Sequence, residues 1–248
     1  MSIGTITALS AADERAGDVL RLRREIGRMQ RRRGDDTVLP LPPVLQGLLP
    51  EQGLRTGAVY SVSPSPSLLF ALMSTVSQRG GWCAAVGMPT LGIEAAAAFG
   101  IELSRLILVP SPGQRWLAVV SALAEVVPLL AVHPTGGVRE EEAARLAARL
   151  RDRGCTVLTT ASWPRSEGMI SLQDPHWEGI GEGWGLLTER MVTVAAQTRS
   201  APHPRSMRVR LPDDRGRIGV VPITAGERSS ASVRRTVEPV RGPWAAAS

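Results

Sequence analysis

Between Ala58 and Thr160 the chain repeats one pattern: a short apolar run, then a helical stretch, then another run. The runs are Ala58–Val62, Trp82–Val86, Leu106–Val109, Val127–Val132 and Cys155–Thr160, with Pro128 interrupting the fourth. Between them lie Leu68–Gln78, Gly92–Phe99, Arg115–Ala124 and Val138–Arg153. Apolar runs of four to six residues are too short for helices and lack the polar alternation of a half-exposed strand. They therefore predict strands buried on both faces, and buried strands joined by helical crossovers predict a doubly wound α/β fold with a mostly parallel sheet. Val138–Arg153 is the clearest helix, with Ala143, Leu146, Ala147 and Leu150 inward and Glu140–Glu142 in the first turn, where the helix dipole favours acids.

After residue 165 the pattern changes. Val192, Val194 and Ala196 alternate with more polar neighbours, as do Met207, Val209 and Leu211, and Ile218, Val220 and Val221 follow Gly216. Alternation predicts antiparallel strands, with turns at His203–Pro204 and Asp213–Gly216. Residues 37–57, with Pro40, Pro42, Pro43, Pro50 and three glycines, read as a linker rather than a regular element.

Two arginine-rich ends flank this core. Residues 1–36 carry eight arginines against six acids, and residues 199–248 carry ten against four, within a net charge of +6. Ser10 reads as an N-cap, and Ala12, Ala16, Val19, Leu22, Ile26 and Met29 recur at steps of three and four up to Arg31–Arg33 and Gly34. This predicts an amphipathic helical arm over residues 1–36. Its stripe docks either on the chain's own core or on another subunit, because burying Val19, Leu22, Ile26 and Met29 is worth roughly 1.5–3 kcal/mol each only against a second surface. Residues 37–221 are the expected core, and residues 222–248 read as a flexible basic tail. A basic end suits nucleic acid, an acidic partner or a membrane surface, or is simply solvated.

The chain has no lysine at all. That excludes Schiff-base chemistry and the phosphate-gripping lysine of a P-loop. The loop after the first run is Ser63-Pro64-Ser65-Pro66-Ser67, without glycine and with two prolines that lack N–H donors. At the end of the fourth run, where an acid would serve magnesium, stand His133 and Pro134. The reading is of no catalytic residues, no cofactor and no metal, with His133 structural. Cys83 and Cys155 lie in apolar runs and are expected to be buried and inert, in a reducing cytoplasm. Neither a secretory signal nor a membrane span is expected. The stretch Asp174-Pro175-His176-Trp177-Glu178-Gly179 reads as a loop whose Trp177 either plugs the sheet edge or stacks on a base.

The order of elements resembles a RecA-type domain. The likeness includes Gly47-Leu48-Leu49-Pro50-Glu51-Gln52-Gly53-Leu54-Arg55-Thr56-Gly57-Ala58-Val59-Tyr60 and Ala96-Ala97-Ala98-Phe99-Gly100-Ile101-Glu102-Leu103-Ser104-Arg105-Leu106. Through Leu172-Gln173-Asp174-Pro175-His176-Trp177-Glu178-Gly179-Ile180-Gly181 it is similar, more narrowly, to the actinobacterial ImuA′-type branch of RecA-like mutagenesis accessory proteins. That resemblance implies a non-catalytic adaptor in SOS-type damage tolerance. Its partners would be an ImuB-like Y-family polymerase homologue and a C-family translesion polymerase complex. Self-association through the N-terminal helix and contact with DNA would be further options, and the nucleoid the place of action after damage. The partner-binding candidates are Val19, Leu22, Ile26 and Met29 of the arm, and Arg234, Arg235, Arg241 and Trp244 of the tail, since guanidinium and indole groups anchor interfaces. Rival readings are a single-stranded-DNA-binding regulator of recombinase filaments, marked by steep salt dependence, and a SulA-like division inhibitor. Leu22→Asp or Ile26→Asp is expected to disrupt assembly by placing a charge in the stripe. Size-exclusion and pulldown profiles identical to wild type would exclude the arm from docking.

Overall fold

The computed structural model describes residues 38–221, apart from 182–183 and 202. The arm and tail candidates, Val19, Leu22, Ile26, Met29, Arg234, Arg235, Arg241 and Trp244, lie outside the described residues.

Five parallel strands occupy the positions of the five apolar runs. They are β3 (Val59–Val62), β4 (Cys83–Val86), β5 (Leu106–Val109), β6 (Leu129–Val132) and β7 (Thr156–Thr159), numbered after β1 (Val38–Pro40) and β2 (Gly53–Arg55). The crossovers are α1 (Pro66–Gln78), α2 (Ile93–Ala98), α3 (Trp116–Leu123) and α4 (Glu140–Arg153). Three longer or later strands follow, β8 (Gly168–Gly181), β9 (Trp184–Thr198) and β10 (Arg205–Arg210), then the short β11 (Gly219–Val220). The nine-stranded sheet runs β11-β10-β9-β8-β3-β7-β6-β4-β5. Its β8-β3-β7-β6-β4-β5 half is parallel, and β8 to β11 pair antiparallel. The expected fold class is therefore the observed one.

Residues alternating along each parallel strand feed two separate cores. Tyr60, Val62, Cys83, Ala85, Leu129 and Ala131 pack with Leu68–Met73 of α1, and with Ala96 and Phe99 at α2. On the opposite face Val59, Ala84, Val86, Leu130, Val132 and Val157 pack with Trp116 and Val120 of α3 and with Ala143, Leu146 and Leu150 of α4. The helix ends follow local chemistry. Ser65 accepts the Leu68 N–H at the start of α1, with Pro66 in its first turn. At α4, Glu142 sits 2.7 Å from Arg139, and Gly154 closes the helix at φ 62°.

Two expectations are corrected. Residues 37–57 are not a linker: β1 and β2 pair antiparallel, with Leu39 opposite Leu54, and a 3-10 turn spans Pro43–Leu48. Leu39, Leu41, Leu45, Leu48, Leu49 and Leu54 are buried, so the leucines decide this segment and the prolines only punctuate it. Gly53 permits the close pairing, since a Cβ there would meet the Val38 side chain at 2.2 Å. Residues 174–179 are likewise not a loop. They belong to β8, with register shifts between Gln173 and His176 and between Glu178 and Ile180. Asp174 at φ 48° and Gly179 at φ 108° absorb the irregularity, so the Pro and Gly that suggest a loop mark bulges instead.

Both cysteines are free and buried. Burial pushes the Cys83 thiol from 9.0 up to about 12. Tyr60 is pushed from 10.0 up to about 12, again mainly by burial, although the Arg55 N–H donates to its hydroxyl. In both groups the folded state holds the proton more tightly than the unfolded chain. Their contribution is whole below about pH 9 and is lost as pH rises toward 12. Urea midpoints are expected to fall progressively across that alkaline window, and a flat profile there would contradict the burial of both groups.

Candidate functional site

In a doubly wound sheet, ligands sit beyond the carboxyl ends of the strands. Here that edge is a trough of about 580 Å³. It crosses the tips of β3 (Pro64–Pro66), β7 (Thr160), β6 (His133, Thr135), β4 (Gly87–Leu91) and β5 (Pro110–Gly113). No arginine, aspartate or glutamate lines it. Its floor is set by backbone bonds between neighbouring tips: His133 N–H to Val86 O, Gly87 N–H to Val109 O and Thr160 N–H to Val132 O, each 2.9–3.1 Å. Gly87 takes φ 78°, and a Cβ there would meet the His133 carbonyl oxygen at 2.2 Å.

The loop after β3 spends most of its own donors. Ser63 N–H donates to Ile170 O, Ser65 N–H to Ser63 O, and Leu69 N–H to Ser65 O. The Leu68 N–H is capped by Ser65 Oγ, and Pro64 and Pro66 have no N–H. The hydroxyls are also engaged: Ser65 Oγ lies 3.1 Å from Ser67 Oγ, and Arg190 of β9 donates to Ser67 Oγ at 2.8 Å. Arg190 donates as well to Leu211 O at 2.7 Å and stacks 5.4 Å above the Trp177 ring. Its guanidinium, lowered from the ordinary arginine value by burial, is thus fixed by neutral partners. Trp177 is 45% exposed, so it does not plug the sheet edge. Sequence reasoning missed Arg190, because β8 and β9 bring it to Ser67 across 123 residues of chain.

At the tip of β6, exposed His133 places Nδ1 2.7 Å from Thr160 Oγ1. Among the described residues no three His, Cys, Asp or Glu side chains are grouped to hold a metal. A magnesium triphosphate asks for a cation, free N–H groups and a carboxylate. The residues present, Ser63, Pro64, Ser65, Pro66, Ser67 and His133, do not fit that request. A larger cavity of about 890 Å³ runs along α4 beside the amino end of β3. Its rim carries the ion pairs Arg165–Glu140 at 2.6 Å and Arg55–Glu167 at 4.0 Å, beside Glu51, Arg151 and Arg199.

The sheet order, the two-faced core and the strand-tip trough define a RecA-like recombinase fold. The crystal structure of the RadB recombinase shares it at a TM-score of 0.52, with 18% identity, over 73% of this chain and 97% of that one. That likeness concerns the fold alone. Residues 47–165 match the family described as MT3502 N-terminal domain. The uncharacterized protein Rv3395c of Mycobacterium tuberculosis (strain ATCC 25618 / H37Rv) is 30% identical over 187 residues, covering 71% of this chain and 80% of that protein. The chain belongs to the same family as Rv3395c. Among the described residues no helix is long and apolar enough to cross a membrane.

Gly87→Ala combines a disfavoured φ with a backbone clash and is expected to cost on the order of 2–4 kcal/mol. The urea midpoint should drop with an unchanged slope, and a midpoint equal to wild type would show that the floor of the trough is not rigid.

Proposed function

We propose that this protein is a non-catalytic RecA-like adaptor in SOS-type damage tolerance. It binds an ImuB-like Y-family polymerase homologue and a C-family translesion polymerase for error-prone DNA synthesis, in the cytoplasm and at the nucleoid after damage. The observation that carries this reading is the loop at Ser63–Ser67. The N–H groups of Ser63 and Ser65 are spent, Pro64 and Pro66 have none, and Ser65 and Ser67 are held by each other and by Arg190. A recombinase-shaped body with no lysine and with His133 at the tip of β6 supports protein binding rather than nucleotide turnover. The arm with Leu22 and Ile26 and the tail with Arg234, Arg235, Arg241 and Trp244 supply side chains suited to partner anchoring.

Affinity capture with the tagged full chain from DNA-damaged cells is expected to recover both polymerase-type partners, and deletion of residues 222–248 to weaken that capture. Calorimetric titration with Mg–ATP is expected to show no saturable heat. Absence of both polymerases from the capture, or saturable nucleotide binding, would overturn the reading.

A further inference from the structure

Arg190 is a half-buried cation held without a counter-charge. Of the five N–H groups on a guanidinium, one here goes to Leu211 O and one to Ser67 Oγ, while the Trp177 ring lies 5.4 Å away. Among the described residues no carboxylate stands within ion-pair distance of it. The nearest acids are turned away or engaged. Glu189, next to it on β9, lies on the other face of the strand and pairs with Arg210 at 2.7 Å. Glu178, opposite Glu189 in the register, shares that other face. Asp213, beside Pro212, accepts the Arg215 and Arg217 N–H groups with its Oδ1. Holding Leu211 O and Ser67 Oγ needs only a donor, which a neutral amide would supply without the desolvation of a charge. An anion accounts for the cation.

Beside the guanidinium is a cavity of about 330 Å³ between α1, α2 and the turn at Pro212–Gly216. It touches the strand-tip trough only through Ser65 and Pro66. Phe70 and Phe99, with ring centroids 5.8 Å apart, form its apolar part together with Ala95, Ala98 and Pro212. Arg190 alone among its lining residues is charged. The volume is at the small end for a ligand site and suits one ring or one branched chain. A planar guanidinium matches the two oxygens of a carboxylate. A phosphate dianion would instead bring a second charge and a third oxygen to a single cation and an apolar wall. Because Leu211 O, Ser67 Oγ and Trp177 already hold the guanidinium, little side-chain freedom is lost when a ligand arrives.

We infer that this cavity binds a single carboxylate carried on an apolar body, with Arg190 taking the carboxylate and Phe70, Phe99 and Ala95 receiving the body. Such a group is a free small acid or the C-terminal residue of a partner chain. The site goes beyond the adaptor reading and stands or falls without it.

Titration of the full chain with 3-phenylpropionate tests it, followed by NMR at the Arg190 Nε–H and the Trp177 indole. Both signals are expected to shift and saturate. The neutral 3-phenylpropionamide should bind at least about tenfold more weakly, and Arg190→Gln should weaken the acid by a similar factor. Ala95→Leu, at an exposed position of α2, fills the cavity and leaves the guanidinium in place. It is expected to abolish saturation with an unchanged urea midpoint, which separates loss of the site from loss of the fold. Tighter binding of N-acetyl-alanyl-phenylalanine than of 3-phenylpropionate assigns the site to a chain terminus, and equal or weaker binding assigns it to a free acid. No saturation by either acid, equal affinity for acid and amide, saturation that survives Ala95→Leu, or tighter binding of inorganic phosphate would overturn the inference. None of these results bears on polymerase capture or on Mg–ATP titration, which judge the adaptor reading separately.

Discussion

Four neighbouring strands of the parallel half, β3, β7, β6 and β4, are buried on both faces, and that single constraint organises the molecule. Leu130 faces α3 and α4 while its neighbours Leu129 and Ala131 face α1, so neither helical layer is dispensable. Burial of each such leucine contributes roughly 1.5–3 kcal/mol, provided that the opposing layer is present. Helices on both faces force every crossover to return over the sheet, and the carboxyl ends of β3 to β7 then converge on one edge. The trough is a consequence of the core, not an addition to it.

What the fold offers at that edge and what the sequence installs there differ. Topology brings the loop after β3 next to the tips of β6 and β7, a place suited to an anion when N–H groups and a cation are free. Here the loop is closed upon itself by Ser65 and Ser67, and Arg190 is turned toward neutral partners, Leu211 O and the Trp177 ring. No arginine, aspartate or glutamate lines that edge, and Pro64 and Pro66 of the loop carry no N–H. The same RecA-like body is shared at the level of sequence with a relative, the Mycobacterium tuberculosis protein Rv3395c.

The antiparallel half extends the sheet on the other side of β3. Ile170, Val192, Val194, Val209 and Leu211 share the core that includes Leu41, Leu45 and Leu48, so β8 to β10 are fixed by the segment before β3. The same packing carries Arg190 to the loop. Proline and glycine within Asp174–Gly179 mark bulges in a long strand, which also blunts an edge that would otherwise invite pairing with another chain.

By itself the sequence determined the five parallel strands, the four crossover helices, the change to antiparallel pairing and the absence of lysine from the loop. All of these depend on the side-chain period within a dozen residues, or on composition. Tertiary structure alone decided the rest. It made Leu39–Leu54 a packed element rather than a linker, because leucine burial outweighs proline's local preference once a core is present to receive it. It put Arg190 on Ser67 and His133 on Thr160, contacts that join distant strands through sheet order. Local pattern sets which face of a strand is apolar, but which strands lie side by side is settled by how the two layers close, and the strand-tip site is built from that choice.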